Sequence, residues 1–192
     1  MFIFWWLLAK LVSIPAVTNY LINRARRTPY TPILSPDGTQ IYMERLWLLN
    51  PYYTHEEKEA FAEAGLPVPW KFPISVRAHC IRTPDLDRAD HDHPWNAISC
   101  IMRGGYLEKR NGHIRLIDAG QVSRLRYGKD FHSISQVYPE PGELGVWTLF
   151  ITFKFQGTWG YLVDGKKVPF KDYLRNTGDA NYKESKGEKN AS

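Results

Sequence analysis

Two histidines one residue apart, His91 and His93 in the run DRADHDHPW, have the types and spacing to do chemistry. On a β-strand the side chains at i and i+2 leave the same face, so both imidazoles stand side by side while Asp92 points the other way. If that strand lines a barrel, its inner face looks onto a point shared with distant strands. His132, in RYGKDFHSIS, follows a Gly turn and opens a later strand, which makes it the best placed third imidazole. Three neutral imidazoles leave up to three positions open on an octahedral metal such as iron. On zinc they leave one tetrahedral position for water. The competing reading of an H-x-H pair is two packed or surface histidines. Against it, five of the six histidines fall between His79 and His132, and Pro94-Trp95 follows the pair directly.

Other residues could complete such a site. In SVRAHCIR, residues 75–82, alternation puts Ser75, Arg77, His79 and Ile81 on one face and Val76, Ala78 and Cys80 on the other. Turned inward, Arg77 could hold a substrate carboxylate or phosphate by a bidentate contact, with His79 beside it. The alternative is an edge strand whose Arg77 pairs with a surface acid. Tyr106 and Glu108, on the strand leaving Gly105, offer an extra ligand or a general acid, or else hairpin surface. Asp85, Asp87, Arg88 and Asp90 read as a solvated loop with an Arg–Asp pair, and Asp90 or Asp92 is the choice for orienting an imidazole through its second nitrogen. Trp95 is placed to wall a pocket from water. Ser133 and Ser135 lie beside His132, but no G-x-S-x-G elbow occurs, and parity puts Cys100 on the face opposite the His pair.

The elements that must position these residues are mostly strands. Residues 41–49, IYMERLWLL, read as a strand. Thr54, followed by Glu57, has the form of a capping box opening a short helix that ends at Ala64 with Gly65 as its stop. Pro67, Pro69 and Pro73 exclude regular structure until Ser75. From Ser75 to about Phe170 short strands recur, punctuated by Asn111-Gly112, Gly120, Gly128 and Asp164-Gly165, the spacing of a sandwich or barrel. Trp147, Leu149, Ile151 and Phe153 alternate along one strand and should fill a sheet face. The domain expectation is an apolar, basic helical segment over 1–30, a barrel over 38–175 and a disordered polar tail over 176–192.

The chain has 192 residues, 43% of them hydrophobic and 23% charged, enough for one domain plus an appendage and too apolar for a disordered chain. Its net charge is +5, and Lys10, Arg24, Arg26 and Arg27 supply four of those charges with no acid among residues 1–30. The rest is nearly neutral, which argues against nucleic acid as a partner. Residues 2–22 have the length of a bilayer span followed by Arg24, Arg26 and Arg27, but Lys10 falls near the middle and Ser13, Pro15, Thr18 and Asn19 dilute the second half. A helix packed on the domain or lying on a membrane surface is the alternative. Cys80 and Cys100 show no metal or redox spacing, so two buried thiols in a reducing compartment are expected, which favours the cytoplasm. An open sheet edge or the apolar N-terminus could pair two copies into a homodimer.

Residues 91–105, HDHPWNAISCIMRGG, followed after a hairpin by residues 120–134, GQVSRLRYGKDFHSI, resemble the two metal-binding motifs of the cupin superfamily. In that pattern an H-x-H pair is followed by a Glu and a Gly, and a Pro-x-Gly turn precedes the last His. His91, His93 and Gly104 match the first motif. Gly128 and His132 approximate the second, with Arg126 where Pro would stand and one extra residue before the His. The combination of DRADHDHPW with WGYLVDGKKVPFKDYL, residues 159–174, is also similar to cupin-like bacterial and phage proteins. The resemblance covers about residues 40–175 and implies a single small cupin-type β-barrel, a jelly roll, with an N-terminal apolar helix and one short helix.

Asn96 and Ala97 occupy the place of the motif Glu. A three-His set without that carboxylate resembles the cysteine dioxygenase branch, the thiol dioxygenases, and implies a non-haem Fe(II) on which a thiolate and oxygen bind. Only the metal ligands carry over from that family, since its substrate-binding Arg and Tyr have no aligned counterparts. The leading expectation is a metal-dependent dioxygenase acting on a small anionic substrate. The alternatives are a zinc or nickel cupin that isomerises or hydrolyses a sugar or small acid, and a non-catalytic ligand-binding or membrane-attached accessory protein.

Overall fold

The computed structural model of the chain describes residues 2–53, 55–85 and 88–182. Thr54 of the expected capping box, Asp87 of the charged loop and residues 183–192 of the expected tail lie outside the described residues. In chain order the elements are α1 (Phe2–Val12), α2 (Pro15–Ala25), β1 (Pro29–Leu34), β2 (Ile41–Leu49), α3 (His55–Glu63), β3 (Ser75–Ile81), β4 (Trp95–Arg103), β5 (Gly105–Arg110), β6 (His113–Asp118), β7 (Val122–Leu125), β8 (His132–Tyr138), β9 (Val146–Phe155), β10 (Gly160–Val163), β11 (Lys166–Pro169) and α4 (Phe170–Thr177).

Six strands form one antiparallel sheet in the order β1-β2-β3-β9-β4-β7, and three form a second in the order β6-β5-β8. His91 extends the second sheet by pairing with His132 of β8 on one side and with Tyr161 of β10 on the other. From β3 onward the chain therefore crosses between the sheets again and again: β3 in the first, His91 in the second, β4 back in the first, β5 and β6 in the second, β7, β8 and β9 in alternation. That wrapping is the jelly roll of a small β-barrel, as expected. Asn111 and Gly112 have φ of 47° and 82°, so the β5–β6 hairpin closes in two left-handed residues whose twist matches the strands.

Parity in the six-stranded sheet assigns its two faces. Ala78 and Cys80 of β3, Ile98, Cys100 and Met102 of β4, and Trp147, Leu149 and Ile151 of β9 face outward into one apolar cluster. Arg77 and His79, Ser99, and Thr148 and Phe150 are their inward neighbours and line a cavity. Strands covered on both faces need no hydrophobic–polar alternation, which explains the nearly continuous apolar run of β9. The cover on the outer face is α1 and α2, through Ala9, Val12, Ile22 and Ala25. At about 1.5–3 kcal/mol per fully buried Val- or Ile-sized side chain, this contact fixes both helices to the barrel.

Several expectations are corrected. The N-terminal segment is two helices bent by 82°, not one. Pro15 starts α2 because it has no amide hydrogen to continue α1 and its ring clashes with the preceding turn. Residues 29–34, outside the strands read from the sequence, form β1; its Pro29 and Pro32 are tolerated because the strand lies at the sheet edge. β3 is not an edge strand but lies between β2 and β9. The tail is ordered as far as it is described: α4 reaches Thr177, Asp179 is buried, and Asn181 hydrogen-bonds both backbone groups of Leu34.

Candidate metal centre

His91 and His132 face each other across an antiparallel pair, each amide donating to the other's carbonyl at 2.9 Å. Residues opposite one another in such a pair place their side chains on one side of the sheet, so the two rings meet. His93, two residues on, shares that side. The three ring centroids stand 5.2, 5.0 and 5.1 Å apart, and Nε2 of His93 lies 2.9 Å from Nε2 of His132. One nitrogen from each ring lies within 4.8 Å of the others. Among the described residues no carboxylate joins this donor group, in keeping with Asn96 and Ala97 where the cupin pattern has Glu.

The surroundings fit a metal. Burial and the neighbouring His132 push the pKa values of His91 and His93 well below the ordinary imidazole range, so both present lone pairs. His132 donates from Nδ1 to Oε1 of Glu108 at 3.0 Å, which keeps its proton on that nitrogen and frees Nε2 for the cluster. On the Nδ1 side of His91, a carboxylate oxygen of Asp85 lies 3.6 Å away. Burial raises the Asp85 pKa, against the charge of Arg88.

Glu108 is neither an added ligand nor a general acid. It is fully buried behind His132 and does not line the cavity. Arg110 and Arg115 each approach it at 2.7 Å and Ser123 donates to it at 3.1 Å. Burial works to raise its pKa, but the His132 hydrogen bond and the Arg110 charge hold it well below the usual carboxylate range. Held by two guanidinium groups and a hydroxyl, its carboxylate serves as an acceptor.

The aspartates also sit differently from the sequence reading. Asp92 points away from the imidazoles and accepts from the Gly160 amide at 2.7 Å and from Lys167 Nζ at 2.6 Å. Asp90 accepts from Ser133 Oγ at 2.7 Å. Neither orients a ring: Glu108 takes that role for His132, while Asp85 lies beside Nδ1 of His91 without hydrogen-bonding it. Within the loop, Asp85 and Arg88 are buried rather than solvated, and Arg88 pairs with Asp85.

Arg77 and His79 line the same cavity, about 520 Å³, as the three histidines. Arg77 is only 4% exposed. Its guanidinium carbon lies 5.0 Å from the ring centres of Trp47, Tyr52 and Trp95 and 5.6 Å from Phe150. It donates to Thr152 Oγ1 at 3.0 Å and to the Tyr52 and Tyr30 hydroxyls at 3.1 and 3.3 Å. Among the described residues none of its partners is a carboxylate, and Nε is buried without a partner. His79 stacks on Phe150 with centroids 4.8 Å apart, and its Nε2 is also buried and unpartnered. Burial and the charges of Arg77 and Arg45 push its pKa well below the ordinary range. Trp95 stands over His93 at 6.4 Å, as a wall of the pocket.

Sequence reasoning missed Arg45 and Trp47, which β2 places opposite His79 and Arg77. Their i, i+2 spacing was visible, but only the register of β2 on β3 shows where that face points. Tyr52 and Tyr30 come from segments without a periodic signal.

No protein-family profile and no curated protein matches the sequence. Among solved structures the chain is similar to a sugar phosphate isomerase of the cupin superfamily from Silicibacter pomeroyi, with 12% identity and a TM-score of 0.41 over 71% of this chain and 75% of that one. It is similar to a cupin-like protein from Thermotoga maritima, with 13% identity and a TM-score of 0.39 over 68% and 84% of the two chains. A third is a DMSP lyase from Ruegeria pomeroyi, at 16% identity and a TM-score of 0.35 over 52% and 43%.

Proposed function

We propose that this protein is a metal-dependent oxidoreductase that holds Fe(II) through His91, His93 and His132 and oxidises a small anionic substrate, a thiol acid by preference, with dioxygen. The observation that supports this reading most is the pairing, in one cavity, of an all-imidazole donor group with a buried arginine that has no acidic partner among the described residues. A neutral ligand set leaves the cation its full charge, which favours an anionic substrate. Bound Fe(II) would supply a redox-active centre with open positions for substrate and oxygen.

The chain's own groups have defined tasks in this reading. Arg77 pairs with the substrate's carboxylate, its fork held in place by Thr152 and Tyr52 and by the rings around it. Trp95 and Phe150 keep water from the reacting atoms. Glu108 fixes the tautomer of His132. Elemental analysis of protein purified without added metal, followed by oxygen uptake with cysteine, cysteamine and mercaptopropionate, tests the proposal. Iron and substrate-dependent uptake are expected; a protein without iron, or one inert across a broad thiol panel, overturns it.

His79 favours a second reading. An unpartnered imidazole nitrogen, held neutral in the same cavity, can accept a proton from a carbon acid. With zinc or nickel on the three histidines, the site would then isomerise or eliminate without oxygen. Turnover under argon that is lost in His79→Phe identifies this chemistry.

A further inference from the structure

α1, with the sequence FIFWWLLAKLV, is apolar except for the exposed Lys10, yet the barrel covers only one of its faces. Trp5, Leu8, Ala9 and Val12 pack on the outer face of the six-stranded sheet. Ile3, Phe4, Leu7 and Leu11 form an outward stripe at helical spacing and are 73%, 60%, 54% and 52% exposed, and Ile14 continues it. An exposed apolar patch of this kind marks an interaction surface.

Charge selects the partner. The first acid in the chain is Asp37; Lys10, Arg24 and Arg27 are exposed, while Arg26 lies against Trp147 within reach of the Glu143 charge. On α2 the outward positions are Tyr20, Asn23 and Arg24, with Arg27 one turn further on. An apolar stripe carrying the exposed cations Lys10, Arg24 and Arg27 matches a bilayer of anionic lipid, acyl chains for the stripe and phosphates for the cations. A second copy docked by the same surface would set those cations against their own kind.

The geometry also decides the mode of contact. Each helix has 11 residues, about 16 Å at 1.5 Å per residue against a hydrocarbon core of about 30 Å. Among the described residues no single helix is long and apolar enough to cross a membrane. The inner face of α1 is committed to the barrel, so the helix cannot turn into the bilayer. We propose that the outward face of α1 and α2 docks the protein flat on anionic membranes, with Phe4, Leu7 and Leu11 at the headgroup–acyl boundary and Arg24 and Arg27 on the phosphates. The residues that line the cavity lie on the opposite face of the sheet. This inference does not rest on the metal reading.

Sedimentation of the full-length protein with phosphatidylcholine vesicles, with and without phosphatidylglycerol, is the test. Binding to the mixed vesicles is expected, weakened at least about tenfold by omitting the anionic lipid or by high salt. Phe4→Glu with Leu7→Glu should abolish binding, and Arg24→Glu with Arg27→Glu should reduce it to the level on neutral vesicles. These positions are exposed, so both variants should keep the parent's melting temperature and elution volume. A parent protein that does not bind anionic vesicles overturns the proposal. So does one that self-associates without lipid through a contact that Phe4→Glu with Leu7→Glu breaks, which would make the stripe a protein interface.

Discussion

The imidazole of His132 and the carboxylate of Glu108 form a directed pair: Nδ1 donates to Oε1 at 3.0 Å, and two arginines hold the acid from behind. The pair joins an inner wall of the barrel to its β5–β6 hairpin. Since the carboxylate can only accept, it dictates which nitrogen of His132 faces His91 and His93. An acid that would compete for the metal if it faced the cavity instead sets the ligand's orientation.

Glu108→Gln keeps the shape of that side chain and removes its charge. The expected result is a fall of about 10–100-fold in metal affinity, measured by titration against a chelator, with the far-ultraviolet circular dichroism unchanged. Affinity equal to that of the parent protein would show that Glu108 serves only the Arg110–Arg115 cluster.

The three ligands were legible because each obeys a short-range rule. His91 and His93 follow the two-residue period of extended chain, and His132 follows a turn marked by Gly128. Their supporting acids were not legible, because Glu108 meets His132 through the pairing of β5 with β8, where the register slips between Leu107 and Glu108. Nothing local announces that slip. Arg88 read as solvated because its partner Asp179 lies 91 residues away. Pro29 and Pro32 hid β1, since a proline run reads as a break unless the strand is known to lie at an edge. What escaped the sequence is in each case a matter of long-range register.

Cys80 and Cys100 are free and lie in the apolar cluster beneath α1 and α2. Burial pushes both thiols up to about 12. At pH 8 the thiolate is therefore scarce as well as inaccessible. Ellman's reagent should label neither cysteine in the native protein and both after denaturation. Rapid labelling of the native state would show that the helices detach from the sheet.

Arg88 donates to both oxygens of Asp179, at 2.6 and 3.1 Å, and to Asp85 at 3.2 Å, and so ties the C-terminal segment to the acid beside His91. Burial works to raise the Asp179 pKa, but the bonds from Arg88 and Asn181 hold it below its ordinary 3.8. A carboxyl depressed in the folded state stabilises above its unfolded pKa, and that contribution fades as the pH falls through the folded value. Asp179→Asn should cost about 3 kcal/mol near neutrality, as expected for breaking a buried pair. The gap in melting temperature between parent and variant should narrow from pH 6 to pH 3. A gap independent of pH would mean that the carboxylate charge does not hold the clasp.

Arg77 offers the sharpest test of the substrate class. Its charge is buried among Trp47, Tyr52, Trp95 and Phe150, and among the described residues no acid pairs with it, a costly arrangement unless an anion arrives to complete it. Arg77→Lys keeps the charge but loses the planar fork and its stacking, while Arg77→Met loses both. A charge-assisted contact contributes about 1.5–3 kcal/mol, so Arg77→Met should raise the KM for an anionic substrate by about ten- to a hundredfold. Arg77→Lys should fall between the two. Relieved of an unpaired buried cation, the apo form of Arg77→Met should melt no lower than the parent. If that variant instead loses stability and leaves KM unchanged, Arg77 is a packing element of the barrel, and the anion must be bound by Arg45 or by the metal alone.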